Sequence, residues 1–409
     1  MHLNKEKTFI ITSILVGSII LSSALISLSS FFWDDSDFRD DSEGSVSYDV
    51  PNFIHINNNW SQTASYYAWC KGGNGTVNNP YIIENIVVES NNEIACILIE
   101  NSNDFFIIRN CKFRNSRSSG IKLSQVSNGQ LFENDCSFNQ VDGIYLYLSD
   151  YIEIMNNNLC SNSNDGLRLR HSSYNTIINN QITYNNDGFT AAWSSYNIIQ
   201  QNVVNNNEYY GLNLDYESNH NTIENNTCNN NYRGIVNGYE CIYNNFIGNI
   251  ANYNYVGIQI DDMNNTIANN TANYNGYYGI GIRENENSVI GNMANFNGKY
   301  GIRISYSITK EFFNNSANYN KHSGIFFRRC DNNSIENNRA NYNENNGILL
   351  IGSCYNVILG NIAINNTYGV NLKDESNNNE IRENLLSNNT ICYSQDGTCY
   401  GNVFIDNIC

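Results

Sequence analysis

Three aspartates, Asp142, Asp165 and Asp187, stand one residue before a glycine at intervals of 22 or 23 residues. If that interval is one turn of a stacked chain, the three carboxylates lie about 5 Å apart. Repulsion and desolvation would then raise at least one pKa or recruit a cation or an arginine. Arg168 and Arg170 follow Asp165, Tyr145 and Tyr147 follow Asp142, His171 and Trp193 lie just beyond, and Asp215 comes one repeat later. Carboxylates among Arg, His and aromatic rings suit a glycan-processing groove, with an acid, a base and faces for sugar stacking. Asp142, Asp165, Asp187, Arg168 and His171 are therefore candidate catalytic residues. Tyr145, Tyr147, Arg170, Trp193 and Asp215 are candidate ligand-binding residues. A plainer reading stands beside this one, because Asp-Gly is an ordinary turn pair and exposed charges on a repeat serve solvation.

The elements that must hold these residues follow from the period. Twelve glycines (Gly120, Gly143, Gly166, Gly188, Gly211, Gly234, Gly257, Gly279, Gly301, Gly324, Gly347 and Gly369) recur at 22 or 23 residues, almost all opening a phrase of glycine, an apolar residue and another apolar residue two further on, as in Gly120-Ile121-Lys122-Leu123. Alternating apolar residues are strand spacing. A second ladder runs behind it through Asn134, Asn157, Asn180, Asn202, Asn226, Asn249, Asn270, Asn292, Asn315, Asn338, Asn361 and Asn384, with Asn85 and Asn110 upstream and Asn407 at the end. A third run pairs a small residue with an aromatic, as in Ala251 and Tyr253 or Ala317 and Tyr319.

Three short strands per repeat exclude helix-containing solenoid units and propeller blades. The expected fold is all-β, a right-handed parallel β-helix solenoid of about 15 coils, with stacked Ile, Leu, Tyr and Phe inside and asparagines at the bends. The chain has 83 asparagines and two prolines, which suits an unbroken parallel ladder.

The chain divides into a membrane anchor or signal segment at 1–33 and an acidic Ser/Asp-rich linker at 34–50. A cap and first coil follow at 51–84, repeats at 85–391, and a closing coil and cap at 392–409. Lys5 and Lys7 precede a stretch, Thr8–Trp33, without a charge, and Asp34–Glu43 is acidic. That order places the following chain outside the cytoplasm, anchored in the membrane by an N-terminal transmembrane helix, or secreted if the segment is a cleaved signal. A net charge of −17 disfavours nucleic acid as a partner. Of the twelve cysteines, Cys392, Cys399 and Cys409 cluster where a solenoid's end needs closing, and Cys330 and Cys354 sit one coil apart. None has zinc spacing, and neither a metal nor a cofactor is expected. Nine Asn-x-Ser/Thr sequons, among them Asn225, Asn269, Asn314 and Asn388, permit glycosylation; so many asparagines would generate several by chance.

Residues 53–90 carry Gly73-Asn74-Gly75-Thr76, then Asn79-Pro80-Tyr81-Ile82-Ile83 and the first coil. With the downstream repeats this resembles NosD-type right-handed parallel β-helix proteins of the pectin-lyase-like superfamily, over about residues 51–409. The resemblance implies a carbohydrate-binding or sugar-hydrolysis type domain within a group of diverse activities. The histidine between glycines, Arg-x-Lys and Asn-Thr-Asp runs of polygalacturonase-like members are missing, as is the Asp-Pro-His-Asp motif of alginate epimerases. Four scattered methionines argue against copper handling. The reading is a surface-displayed binding or scaffold module for glycans or neighbouring surface proteins. Its alternative is a polysaccharide hydrolase, lyase or epimerase working at the Asp142/Asp165/Asp187 face.

Overall fold

A computed structural model describes residues 50–90 and 94–409. The expected anchor at 1–33 and nearly all of the linker at 34–50 lie outside the described residues. Among the described residues no helix is long and apolar enough to cross a membrane.

The chain winds into a parallel β-solenoid of about 14 turns, close to the 15 expected. Each turn contributes one strand to a 15-stranded sheet, here the glycine sheet, and one to a 16-stranded second sheet. The third side is thinner than the sequence suggests. It is a file of single parallel bridges running from Lys112↔Asp135 to Leu385↔Ile408, preceded by one short strand pair, Val87–Glu89 with Lys112–Arg114.

Alternation sets the core. In Asp165–Arg170 the side chains of Leu167 and Leu169 are buried, while Arg168 and Arg170 point outward. The register stacks like on like, as in Ile144↔Leu167↔Phe189↔Leu212. A short helix, Trp60–Tyr66, closes the N-terminal end of the solenoid. The ring of Trp60 stacks 5.4 Å from Tyr81 and 5.0 Å from Phe106, and its Nε1 donates to Ser102 Oγ at 3.1 Å. At the other end Cys392 and Cys409 form a disulfide, with Cys399 free; Cys330 and Cys354 are both free.

The asparagine ladder is a buried column of amides. Asn157 donates from its backbone N–H and from Nδ2 to Asn180 Oδ1 in the next coil, at 2.9 and 3.0 Å. Its Nδ2 also reaches back to the Leu131 carbonyl at 2.9 Å. Its Oδ1 accepts from the Asn134 N–H at 2.9 Å, so one side chain satisfies a donor and an acceptor in the coils behind it and an acceptor ahead, as a buried bend requires. The ladder residues are not themselves left-handed; the residue before each one is, as at Asn156, Asn179 and Asn225. Asn85 and Asn110 belong to that exposed bend column, with φ of 58° and 50°, and Cys111 holds the ladder position beside Asn134.

Two further columns of the same kind complete the coil. One runs from Asn139 through Asn162, Asn185 and Asn207 to Asn389. The other includes Asn175, Asn197, Asn221 and Asn244. The first of these explains the repeat glycines. A Cβ on Gly211 would come within 2.7 Å of Asn231 Nδ2 and 2.5 Å of the Gly234 carbonyl.

Tyr253, Tyr274, Phe296, Tyr319 and Tyr342 do not fill the core. They occupy left-handed bends with φ of 57° to 59° and stack outside at 4.8 to 5.2 Å, above the buried Ala251, Ala272 and Ala294. A matching exterior stack joins Tyr151, Tyr174, Tyr196, His220 and Tyr243.

Replacing Asn226 by Leu would strand the Asn202 N–H and the Ile199 carbonyl, both buried partners of its side chain. At about 1–3 kcal/mol per orphaned group, Asn226→Leu is expected to destabilise the solenoid by roughly 2–6 kcal/mol. Gln181→Ala, at an exposed bridge position, should stay within about 0.5 kcal/mol. Chemical denaturation of the two variants checks this, and equal midpoints would refute the role given to the ladder.

Candidate functional site

The residue before each repeat glycine forms an outward column on the glycine sheet, with Asp165 in register with Asp187. The three aspartates therefore stack as expected, and each finds partners in the adjoining coil. Asp142 Oδ1 accepts from Asn164 Nδ2 at 3.0 Å and from the Asp165 N–H at 3.2 Å. Asp187 Oδ1 accepts from the Tyr210 N–H at 3.1 Å. Asp165 Oδ2 accepts from Thr190 Oγ1, and Arg168 Nε lies 3.9 Å from that same oxygen.

Asp142 and Asp165 are buried and Asp187 is half-buried. Burial raises the pKa of all three. For Asp165, burial together with the Asp142 and Asp187 charges pushes it up to about 7, against the pull of Thr190 and Arg168.

The next outward column carries Tyr145, Arg168, Thr190 and Asn213, and the one beyond it Tyr147, Arg170, Ala192 and Asp215. Between them opens a groove of about 360 Å³ containing Asp165, Arg168, Arg170, Asp187, Trp193 and Asp215. Asn164, Thr190, Asn213 and Tyr216, which sequence reasoning missed, also line it. Thr190 was within reach, since it occupies the same outward place after its glycine as Arg168. Tyr216 likewise follows its strand at the bend that Trp193 occupies one coil earlier.

The aromatic residues do something other than expected. His171 lies 4.9 Å from Trp193 at 17°, and Trp193 lies 4.7 Å from Tyr216 at 15°, all three at left-handed bends. Stacking covers both faces of the Trp193 ring, leaving its edge to the groove, so Trp193 cannot serve as a sugar platform. The Tyr145 ring lies near Lys122 at 5.7 Å and Arg168 at 5.5 Å. His171 is held in the ring stack and edges onto Tyr147 at 6.3 Å.

The groove's chemistry is accordingly polar: guanidinium donors from Arg168 and Arg170, carboxyl groups from Asp165, Asp187 and Asp215, and amides from Asn164 and Asn213. The Arg170 guanidinium lies 5.4 Å from the Trp193 ring centroid, and its buried Nε has no hydrogen-bond partner among the described residues. Among the described residues no group of three or more His, Cys, Asp or Glu is placed to hold a metal ion.

The raised pKa gives a pH signature with a definite sign. A carboxyl whose pKa is about 7 folded and about 3.9 unfolded stabilises the fold fully at acidic pH and loses that contribution as pH rises toward 7. Asp142 and Asp187, the nearest charges besides Arg168, shift the same way and add to the trend. Asp165→Asn is expected to flatten the loss of stability between about pH 4 and 7, by on the order of 3–4 kcal/mol. Denaturation midpoints across that range measure it; identical slopes for wild type and variant would contradict the buried, near-neutral Asp165.

Comparison with known proteins yields a family and no curated relative. No curated protein matches the chain. Among solved structures, the mannuronan C-5 epimerase AlgE4 A-module of Azotobacter vinelandii is similar at 16% identity and a TM-score of 0.44, over 75% of this chain and 86% of that one. The periplasmic alginate epimerase AlgG is similar at 11% identity and a TM-score of 0.41, covering 87% and 84%. The Streptococcus pneumoniae surface protein and adhesin PfbA is similar at 10% identity and a TM-score of 0.33, covering 80% and 91%. Nothing about this chain's chemistry follows from likenesses at that level. The family profile described as "Right handed beta helix region" matches residues 127–271 and 256–408, well over half the chain. Periodic strands, stacked register and profile agree, and the chain belongs to the right-handed β-helix family.

Proposed function

We propose that this chain binds a polysaccharide across the glycine sheet, with the groove at Arg168, Arg170, Asp187 and Asp215 as its principal contact. The observation that carries this reading is a groove that interleaves the guanidinium donors of Arg168 and Arg170 with the carboxyl acceptors of Asp165, Asp187 and Asp215. A hydroxyl-rich polymer supplies both kinds of partner, and the parallel coils present an extended face for it to follow. The binding is hydrogen-bond led, because stacking already covers the Trp193 ring. The basic, uncharged and then acidic order of the first 43 residues supports display outside the cytoplasm from a membrane anchor at 1–33. Neighbouring surface proteins are the other partner this placement would offer.

One observation favours an enzyme as the second reading. Asp165 is pushed up to about 7, so a protonated carboxyl is available near neutrality, with Asp187 in register one coil away. That pairing suits a general acid and a second carboxylate acting on a glycosidic or uronate substrate. His171, held in its ring stack, takes no part in this scheme.

A glycan array with the full chain, run beside polysaccharide depolymerisation assays, separates the two. Binding that falls at least tenfold in Arg170→Ala, with the circular dichroism spectrum unchanged, is the expected result. Absence of binding to every polysaccharide tested would refute the proposal. Turnover reduced at least a hundredfold by Asp165→Asn would establish the enzymatic reading instead.

A further inference from the structure

The exposed bend column before the buried asparagine ladder holds, in five consecutive coils, Asn225, Gly248, Asn269, Gly291 and Asn314. Each of these asparagines opens a sequon: Asn225-Asn226-Thr227, Asn269-Asn270-Thr271 and Asn314-Asn315-Ser316. The fold generates part of that pattern by itself, since a bend asparagine is followed by a ladder asparagine. The third residue is free to vary, because it faces outward in the bridge file. There the alternation is kept: Thr227, Ile250, Thr271, Met293 and Ser316 follow one another, with a hydroxyl only in the coils whose bend residue is asparagine.

Geometry makes these amides available. All three asparagines are exposed at φ of 56° to 58°. Asn225 Nδ2 makes only a 3.4 Å contact to Glu224, and the Asn269 and Asn314 side chains have no hydrogen-bond partner among the described residues. The intervening glycines leave room for them. A Cβ on Gly248 would sit 2.5 Å from Asn225 Oδ1, and one on Gly291 2.5 Å from Asn269 Oδ1. The oxygen side of the Asn225 and Asn269 amides thus lies over the glycine of the next coil and the nitrogen faces away from it, while Asn314 is followed at the bend by Asn337. Two coils separate successive asparagines, about 10 Å at the spacing of β-strands. Between them Ile250 and Met293 leave apolar surface uncovered, at 39% and 44% exposure.

We infer that Asn225, Asn269 and Asn314 are a row of N-glycosylation sites, decorating the bend between the second sheet and the bridge file. The donor class is an oligosaccharide carried on a polyprenyl phosphate or pyrophosphate. The bond from its anomeric carbon to the phosphate oxygen breaks, and the phosphate leaves with the electron pair. A bond from that carbon to Asn Nδ2 forms, and the amide loses one proton. The first sugar of each glycan would cover the neighbouring Ile250 or Met293. The inference requires export of the chain and is independent of what the groove binds.

The test is glycopeptide mapping and intact mass of the full chain purified from the cells that naturally make it. Three glycan increments are expected, at Asn225, Asn269 and Asn314. Thr227→Val, Thr271→Val and Ser316→Ala should each remove one increment while leaving the asparagine and the circular dichroism spectrum in place. Unmodified masses for these three peptides, or glycans confined to other sequons such as Asn388, would overturn the inference.

Discussion

The structure depends on buried amide columns. A parallel solenoid turns three times per coil, and each turn leaves backbone donors and acceptors inside a bend where water cannot reach them. Asparagine meets that demand with one side chain. Asn202, for instance, accepts from Asn180, donates to Asn226 and reaches the Ile177 carbonyl. A one-residue slip would break every member of the column and would turn the apolar strand residues outward as well. The columns thus fix register coil by coil, while Ile, Leu, Val and Phe fill the space they enclose.

From that register the other features follow. Glycine recurs because the amide of the second column and the next carbonyl crowd the place where a Cβ would be. Most bends leave a single residue in the left-handed region and facing solvent, where tyrosine, histidine and phenylalanine stack from coil to coil. Stacking closes ring faces along those columns, so the abundance of tyrosine adds little sugar-binding surface. The proposed polysaccharide contacts therefore fall to the outward columns of the glycine sheet. There the same regularity brings three aspartates together and lifts the pKa of the middle one.

Much of this was legible in the sequence, because a strict period turns one-dimensional spacing into three-dimensional neighbours. The glycine phrase gave the inward and outward residues of Asp165–Arg170 correctly, and the aspartate column followed from it. The second and third amide columns were not legible. With 83 asparagines in the chain, Asn139 or Asn175 does not stand out from the bend asparagines around it. The same abundance put Asn85 and Asn110 one position out of phase with the true ladder. Tyr253 and its equivalents could be read from spacing as either core or turn stacking, and the left-handed backbone decides for the second by turning them outward. At the groove, the aspartates and arginines could be found from their place in the repeat. The covering of Trp193 by His171 and Tyr216 depends on side-chain directions at a bend, which spacing alone does not encode.

Native-state hydrogen exchange across the solenoid tests the amide columns most directly. The account predicts that the backbone amides of Asn157, Asn180, Asn202, Asn226 and Asn249 exchange as slowly as those of the core strand residues Leu167 and Leu212, through the largest unfolding events of the chain. Exchange of the ladder amides at the rates of the exposed bends, while the strands stay protected, would show that apolar packing alone holds the coils in register and would contradict it.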